Sequence, residues 1–225
     1  MPSAQNAFRQ KHLNEWTEQH VRWLPLSHWD ACSKGPLDEK ALEGRDCFGG
    51  LDLSTKVDLT TFVLLFPPDE DRIWRVLAWF WIPAAGAFEK ERTDRVPYSV
   101  WEKQGFIEKT EGDVIDCDVI RQRILDLSQR FRIKDVGFDP WNATQIASQL
   151  GSDGLTMVEV RQGTATMGEP SKELHALVAS HRFDHGRNPI LRWNASNVTV
   201  RKDANENYMP DEARARGVST ASWPV

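Results

Sequence analysis

The chain has 225 residues, of which 40% are hydrophobic and 27% charged, and its formal net charge is −5 at pH 7. This length and composition are ordinary for a globular protein that can bury a sizeable core. The negative balance excludes a protein that coats nucleic acid through bulk charge, although it leaves room for a local basic groove.

Residues 1–45 predict a polar helical arm followed by a linker. The arm carries Trp16, Trp23 and Trp29, and we expect these indoles to clamp it onto a neighbouring surface. His12 and His20 could share a helix face, but they have no nearby acidic partner and no HExxH spacing, so we do not expect them to bind a metal.

Three strand-like segments follow, at 47–53, 60–66 and 73–82. They are rich in β-branched and aromatic residues and are separated by turn residues, which is typical of an antiparallel meander. The run Trp79–Trp81 alternates across the third segment, and we interpret it as core on both faces of a sheet.

The hydrophobic period then changes from that of strands to that of helices. Apolar residues spaced as on one helix face predict a helix over 118–132, and a short strand follows up to Asp139. Pro140 suits the first turn of another helix, for which Asn142 with Gln145 resembles a capping box.

A further strand is predicted at 155–162 and a further helix at 171–181, and the type of the last ordered element, at 188–203, stays open. The order is therefore three strands, then helix–strand–helix–strand–helix. It predicts an α/β fold with a mixed sheet in which the first three strands are antiparallel.

Cysteine usage and hydropathy indicate the compartment. Cys32, Cys47 and Cys117 have no CxxC spacing, which favours a reducing environment and excludes a zinc knuckle. No apolar run approaches the roughly 18 residues of a membrane span, and the first residues lack a signal-peptide core. We therefore expect a cytoplasmic protein with no membrane partner.

Two aspartates stand at the ends of predicted strands. Asp52 lies between Leu51 and Leu53 at the end of the first strand, and Asp139 ends the strand that follows the first long helix. In such a sheet these two strands are usually neighbours, and paired carboxylates suit Mg²⁺ or Mn²⁺. A single aspartate at a strand end more often caps a helix or binds backbone amides, and this alternative stays open.

Several stretches resemble the nuclease half of the large subunit of tailed-phage terminases. They occur in matching order: "NAFRQKHLNEWTEQHVRWLP", "CFGGLDLSTKVDLTTF", "TEGDVIDCDVI", "VGFDPWNATQIASQL" and "HGRNPILRWNASNVTVRKDANEN". The first resembles the segment that joins this half to the ATPase in the family. The resemblance implies an arm and linker over 1–45 and an RNase H-like nuclease domain over 46–225.

The resemblance also implies an activity and its ligands. The family cuts concatemeric DNA during packaging with an acidic cluster and divalent ions, which implies two Mg²⁺ or Mn²⁺ ions in an intact site. By position, Asp52 and Asp139 resemble the first and second catalytic, metal-binding aspartates. Double-stranded DNA, a terminase small subunit and a portal are the partners that the family implies.

Two departures from the family pattern concern the two ends of the chain. No GxxxxGK[ST] motif occurs, so this chain is not expected to drive translocation itself. The family closes on an Arg-Ile-Asp-Gly-Ile-Val-Ala-like segment, whose aspartate is the third ligand, whereas this chain ends "ARGVSTASWPV".

Codons permitted for residues 217–224 encode that family segment when they are read two bases later. We therefore interpret the tail from about residue 217 as a frame-slipped remnant that has lost the third aspartate, and we expect feeble or absent activity. The alternative is a diverged terminus in which Asp203, Asp211 or Glu212 substitutes.

Basic and polar residues near the carboxylates suggest DNA contacts. Lys56 could touch phosphate, although a turn salt bridge with Asp58 is the simpler alternative. His185, Arg187 and Asn188 form a polar loop that we expect to be exposed beside the acidic site. Either of two arginine groups could build a basic groove, with solvated helix faces as the alternative: Arg121, Arg123, Arg130 and Arg132, or Arg182, Arg187, Arg192 and Arg201.

Two functions compete at this point. One is a divalent-metal endonuclease domain, and the other is a non-catalytic packaging module that contacts DNA or the portal.

We expect Trp141, directly after the second aspartate and its proline, to pack against the helix that begins there, with base stacking as the alternative.

Overall fold

A mixed β-sheet forms the centre of the molecule. The computed structural model describes residues 23–54, 59–85, 87, 91–92, 96–202 and 208–211. Within these ranges the strands of the main sheet are β1 (Asp46–Asp52), β2 (Thr60–Phe66), β3 (Trp74–Pro83), β4 (Ile107–Thr110), β5 (Arg132–Phe138), β6 (Met157–Glu159) and β7 (Phe183–Asp184).

The strands are ordered β4-β3-β2-β1-β5-β6, with β7 added to the outer edge of β3 beside β4. β1, β2 and β3 form an antiparallel meander. β5 lies parallel to β1, and β6 lies parallel to β5. The predicted mixed sheet, with its first three strands antiparallel, is confirmed.

Helices cover the sheet and connect its strands. They are α1 (Leu26–Ala31), α2 (Tyr98–Lys103), α3 (Cys117–Arg130), α4 (Pro140–Ser152), α5 (Thr164–Ala179) and α6 (Pro189–Asn197), with a 3-10 turn at Lys40–Leu42. A separate hairpin is formed by β8 (Thr199–Lys202) and β9 (Tyr208–Asp211). None of the helices within the described ranges has the length and apolarity of a transmembrane span.

Two hydrophobic clusters lie on the two faces of the sheet. Phe80 belongs to the cluster that includes residues of α5 and α6, and Trp81 belongs to the cluster that includes residues of α3 and α4. Both side chains are buried, as strand alternation predicts. The interpretation of the aromatic run as core on both faces is confirmed for these two residues.

The amphipathic helix α3 forms for reasons visible in its sequence. The side chain of Asp116 accepts hydrogen bonds from the backbone N–H groups of Asp118 and Val119, which caps the helix. Ile120 and Ile124 recur on one face and are buried in the cluster shared with α4. This stripe attaches the helix to the sheet and positions β5, which follows it directly.

Several elements differ from the expectation. α5 begins at Thr164, before the predicted start at 171, and it accommodates Pro170 within its length. The segment 188–203 divides into α6 and β8. The short strands β4 and β7 were not predicted as members of the main sheet.

The part of the arm that the structure describes packs on the α5 and α6 side of the sheet. Trp23 and Trp29 are buried in the cluster on the α5 and α6 face, as the clamping interpretation expects. Trp16 lies outside the described residues. A domain boundary at residue 45 stays a prediction.

Candidate metal centre

Asp52 and Asp139 lie at the ends of two neighbouring parallel strands. β1 and β5 pair in a register that ends with Leu51 opposite Phe138. Each aspartate is the residue that follows this last pair in its own chain segment. The backbone of Asp139 remains extended, with φ −78° and ψ 119°. Neighbouring strands lie about 4.8 Å apart, so the two carboxylates leave the same edge of the sheet side by side.

The local structure holds Asp52 firmly in this position. On its other side β1 pairs with β2, where Asp52 stands opposite Thr61. Leu51 and Leu53, which flank the aspartate, are both buried in the cluster on the α3 and α4 face. After them the backbone N–H of Ser54 donates a 3.1 Å hydrogen bond to Oγ1 of Thr60 on β2.

Asp139 caps the helix that follows it. Its Oδ1 accepts a 3.0 Å hydrogen bond from the backbone N–H of Trp141, and Pro140 occupies the first turn of α4. The predicted capping box of Asn142 and Gln145 is therefore wrong, because the helix begins earlier than that motif requires. Oδ2 of Asp139 makes no hydrogen bond or salt bridge with a residue that the structure describes.

Two glycines allow β1 to lie close to its neighbours. A Cβ atom at Gly49 would stand 2.9 Å from Cγ2 of Val136 on β5. At Gly50 it would stand 3.0 Å from Cγ2 of Val63 on β2. Larger side chains at these positions would push β1 away from its partners, and at Gly49 they would separate the two carboxylates.

The donor set suits a hard divalent cation. Carboxylate oxygens are the ligands that Mg²⁺ and Mn²⁺ prefer, and one oxygen of Asp139 is available for this purpose. Across the part of the chain that the structure describes, no group of three or more His, Cys, Asp or Glu side chains is placed to hold a metal. The predicted frame-slipped tail at 217–224 lies outside the described residues.

The expectation that His185 is exposed is wrong. Its side chain is only 2% accessible, and its ring stacks on the indole of Trp29 with the ring centroids 4.3 Å apart. Nε2 lies 2.9 Å from the backbone oxygen of Trp29. Burial lowers the pKa of the His185 imidazole. The arm covers this residue, so the side chain is not available to DNA in this structure.

The neighbouring polar residues also make contacts within the protein. Nε of Arg187 donates to the backbone oxygen of Ser33, and Asn188 caps α6. Arg192 makes two hydrogen bonds to the carboxylate of Asp30, at 2.6 and 2.9 Å. These residues follow β7, which pairs with the start of β3, at the end of the sheet opposite Asp52.

We expected the loop at 185–188 to lie beside the carboxylates, but in the structure it does not. A cavity of about 380 Å³ lies at the outer edge of β3, where His185 and Asn188 line it together with Phe106. It does not include Asp52 or Asp139. DNA contacts by Arg187, Asn188 and Arg192 stay predictions.

The first group of arginines belongs to solvated helix and strand surfaces. Each of them is paired with a carboxylate: Arg121 with Asp153, Arg123 with Glu108, Arg130 with Glu39 and Glu43, and Arg132 with Asp46. These pairs favour solvated surfaces over a basic groove for this group of arginines. Lys56 and Asp58 lie outside the described residues.

The sequence analysis missed two features at the edge of the sheet where Asp52 and Asp139 lie. Trp141 is 89% exposed, so the expectation that it packs on its helix is wrong. Arg161 follows β6 directly and was not singled out. Its position could have been found by extending the parallel order from β5 to β6, since the ends of parallel strands meet at one edge.

Comparison with known proteins gives a consistent result. Residues 2–218 match the family model described as "Terminase large subunit, endonuclease domain". The chain is 33% identical over 219 residues to "Terminase, large subunit" of Enterobacteria phage HK97, which covers 96% of this chain and 42% of that protein. It is 28% identical over 200 residues to "Protein YmfN" of Escherichia coli strain K12, covering 86% and 44% respectively. The chain thus spans less than half the length of these curated relatives.

Solved structures support the same assignment. The crystal structure of the HK97 bacteriophage large terminase superposes with a TM-score of 0.80 at 32% identity, covering 98% of this chain and 46% of that one. The large terminase nuclease from thermophilic phage G20c, solved with bound magnesium, shares the fold with a TM-score of 0.52 at 12% identity, covering 82% and 85%. With its RNase H-like sheet, this chain belongs to the family of terminase large subunit endonuclease domains.

Proposed function

We propose that the domain is a divalent-metal-dependent DNA endonuclease that uses Asp52 and Asp139 as ligands and cuts concatemeric DNA during packaging. The observation that carries the proposal is the register of β1 and β5, which ends one residue before each aspartate. The G20c nuclease, which shares the fold, was solved with magnesium, and this supports Mg²⁺ or Mn²⁺ as the cofactor.

The two aspartates have complementary tasks in this proposal. The backbone of Asp52 is fixed between the buried Leu51 and Leu53, so the position from which its carboxylate extends is set by the sheet. Asp139 keeps Oδ1 on the N–H of Trp141 and offers Oδ2 to the ion. Divalent ions at such a site activate water and stabilise the leaving oxygen of a phosphodiester.

The missing third carboxylate belongs to the same proposal. The family match ends at residue 218, close to the point where the frame slip is proposed to begin. Loss of one of three carboxylates weakens divalent-ion binding, so we propose that this chain cleaves DNA feebly or not at all. Sequencing the coding DNA checks this part, because the Arg-Ile-Asp-Gly frame must run beneath residues 217–224.

A cleavage assay tests the activity itself. Plasmid DNA is incubated with Mn²⁺ and either this chain or a version whose tail from residue 217 is replaced by Arg-Ile-Asp-Gly-Ile-Val-Ala. We expect much stronger cleavage by the restored version and complete loss on Asp52→Asn or Asp139→Asn. Robust cleavage by the original chain that Asp52→Asn abolishes would show that the third carboxylate is dispensable.

The non-catalytic alternative has its own signature in this assay. A restored chain that retains DNA without metal and never cleaves it would indicate a packaging module with a vestigial acidic pair. As partners of the nuclease we propose double-stranded DNA, a terminase small subunit and a portal, with action in the cytoplasm of the host cell. These follow from the family to which the chain belongs.

A further inference from the structure

One large apolar side chain stands apart from the rest of the described surface. Trp141 is 89% exposed, and the next most exposed large apolar residue, Val114, is 65% exposed. Burying an indole usually stabilises a protein, so an indole left almost fully in water at a fixed position has a candidate role in binding.

The backbone of Trp141 is tied to the proposed metal site. Its N–H donates to Oδ1 of Asp139, two residues earlier in the chain. The opposite face of α4 is buried through Ala143, Ile146 and Leu150, so the helix is held against the sheet. The indole therefore projects from a rigid element directly beside a proposed ligand.

The positively charged side chain of Arg161 belongs to the segment after β6, next to the proposed metal site. β6 is parallel to β5, and its Glu159 pairs with Phe138, so the chain leaves the sheet beside Asp139. Two residues later Arg161 is exposed. Its side chain makes no salt bridge or hydrogen bond with any residue in the described ranges.

We infer that Trp141 stacks on a nucleobase next to the cleaved phosphodiester while Arg161 binds a phosphate of the same DNA segment. This rests on the proposed nuclease function and adds two substrate-contacting residues to it. Base–aromatic stacking needs only one exposed ring, and an apolar wedge can also enter a base step of a duplex. The guanidinium supplies a charge-assisted contact to phosphate.

The surroundings of the indole favour DNA over a protein partner. The residues next to it on the first turns of α4, Asn142, Thr144 and Gln145, are exposed and polar, so Trp141 is not the centre of an apolar patch. A protein docked on this indole would also cover the two carboxylates and exclude their substrate. The substrate itself is the occupant compatible with both.

Binding is measured by fluorescence anisotropy with labelled DNA and the full chain, without a divalent ion that supports cleavage. We expect Trp141→Ala to weaken binding by about 5- to 150-fold, the range for loss of one base stack. Trp141→Phe should restore most of the affinity, since a phenyl ring also stacks. Phe48→Ala, which removes another exposed ring from the opposite half of β1, is the matched control and should bind as the wild type does.

The salt dependence separates the two proposed contacts. Arg161→Gln should reduce the slope of log affinity against log salt by about 0.9 on duplex DNA, as expected for one lost phosphate contact. Trp141→Ala should leave that slope unchanged because the indole is neutral. Comparing an intact duplex with one that carries an unpaired base shows whether the ring wedges into a step or stacks on a free base.

The inference is overturned if the wild type binds neither DNA, if Trp141→Ala binds as the wild type does, or if Trp141→Phe is as defective as Trp141→Ala. An unfolding midpoint that falls in parallel with affinity in both variants would also overturn it, since a structural role would then explain the loss. The proposed cleavage fails separately, through an assay that shows no dependence on Asp52 or Asp139.

Discussion

Asp139 shows how one side chain can serve both stability and chemistry. One carboxylate oxygen caps α4, and the other makes no contact within the described residues. The sequence alone poses these two roles as alternatives, whereas the structure makes them compatible. A variant that preserves the cap and removes the charge can therefore separate them.

Asp139→Asn should leave the free energy of unfolding nearly unchanged, because asparagine is as good an N-cap as aspartate. Asp139→Ala should lower it by about 1 kcal/mol, because the Trp141 N–H loses its acceptor. Urea denaturation measures both changes, and both variants should lose metal-dependent cleavage in the tail-restored chain. Equal destabilisation by the two variants would contradict a capping role.

His185 is a buried group whose protonation state matters for stability. The neutral ring donates from Nε2 to the Trp29 oxygen, and its buried Nδ1 has no hydrogen-bond partner among the described residues. Burial is the main cause of its lowered pKa, which the nearby carboxylates of Asp184 and Asp30 partly offset. As pH falls, His185 is therefore protonated in the unfolded chain before it is protonated in the folded one. The free energy of unfolding decreases below the ordinary histidine pKa of about 6.5.

We expect the free energy of unfolding to fall between pH 7.5 and 5.5, by at most about 1.4 kcal/mol per pH unit from this group. Urea denaturation of the wild type and of His185→Gln at the two pH values checks this. The variant should show the smaller pH dependence, even if it is less stable overall. An identical dependence in both chains would show that His185 does not titrate with unfolding.

At the scale of elements, the contact between β1 and β5 decides whether the two carboxylates meet. Their adjacency agrees with the order of strands and helices, since β5, the strand after the long helix α3, lies parallel to β1. The closeness of the strands depends on Gly49, whose missing side chain makes room for Val136. That role becomes visible only when the register is known.

Gly49→Ala should destabilise the domain by about 1–3 kcal/mol, because the new methyl group overlaps Cγ2 of Val136 within a packed sheet. Gly35→Ala is the matched control, since a Cβ there has no atom within 4 Å and its φ is not positive. Thermal or urea denaturation measures both. If Gly49→Ala is as stable as Gly35→Ala, the close approach of β1 and β5 does not depend on the missing side chain of Gly49.

The bounds of long elements could be predicted from the sequence more closely than those of short ones. β1, β2, β3 and α3 lie within a residue or two of their predicted bounds, because alternation and helical spacing extend over many residues. β7 has only Phe183 and Asp184, so its place beside β3 depends on tertiary contacts that no local pattern encodes. Pro170 concealed the early start of α5, because proline usually ends a helix.

At the scale of the whole molecule, the arm determines which polar residues remain accessible. Trp29 and Ser33 contact His185 and Arg187, more than 150 positions later in the chain. A loop that is polar in sequence is therefore partly covered in the fold. The expected exposure of His185 is wrong for this reason, whereas the strand neighbours of Asp52 and Asp139 are set by the sheet.

Thiol labelling reports how tightly the arm is docked. Cys32 lies in the arm and Cys47 in β1, and burial raises their pKa values to about 11 and about 12 respectively. Cys117 is exposed. Burial and the neighbouring Asp116 and Asp118 also raise the pKa of Cys117, which slows its thiolate chemistry without blocking access to it. At pH 8 in native buffer we expect Cys117 to be labelled first, with Cys32 and Cys47 reacting only as the protein opens.

Mass spectrometry of labelled peptides assigns each site. In low urea, faster reaction of Cys32 than of Cys47 would indicate that the arm undocks before the sheet opens. Immediate labelling of Cys32 at the rate of Cys117 would contradict a docked arm.

Titration with Mn²⁺, followed by electron paramagnetic resonance of the free ion, tests most directly whether Asp52 and Asp139 share a metal site. We expect the chain to bind Mn²⁺ and each of Asp52→Asn and Asp139→Asn to weaken binding at least tenfold, an energetic loss of about 1.4 kcal/mol or more. Asp113→Asn, an exposed carboxylate in the loop after β4, is the control and should bind as the wild type does. Wild-type Mn²⁺ affinity in both Asp52→Asn and Asp139→Asn would contradict the shared site.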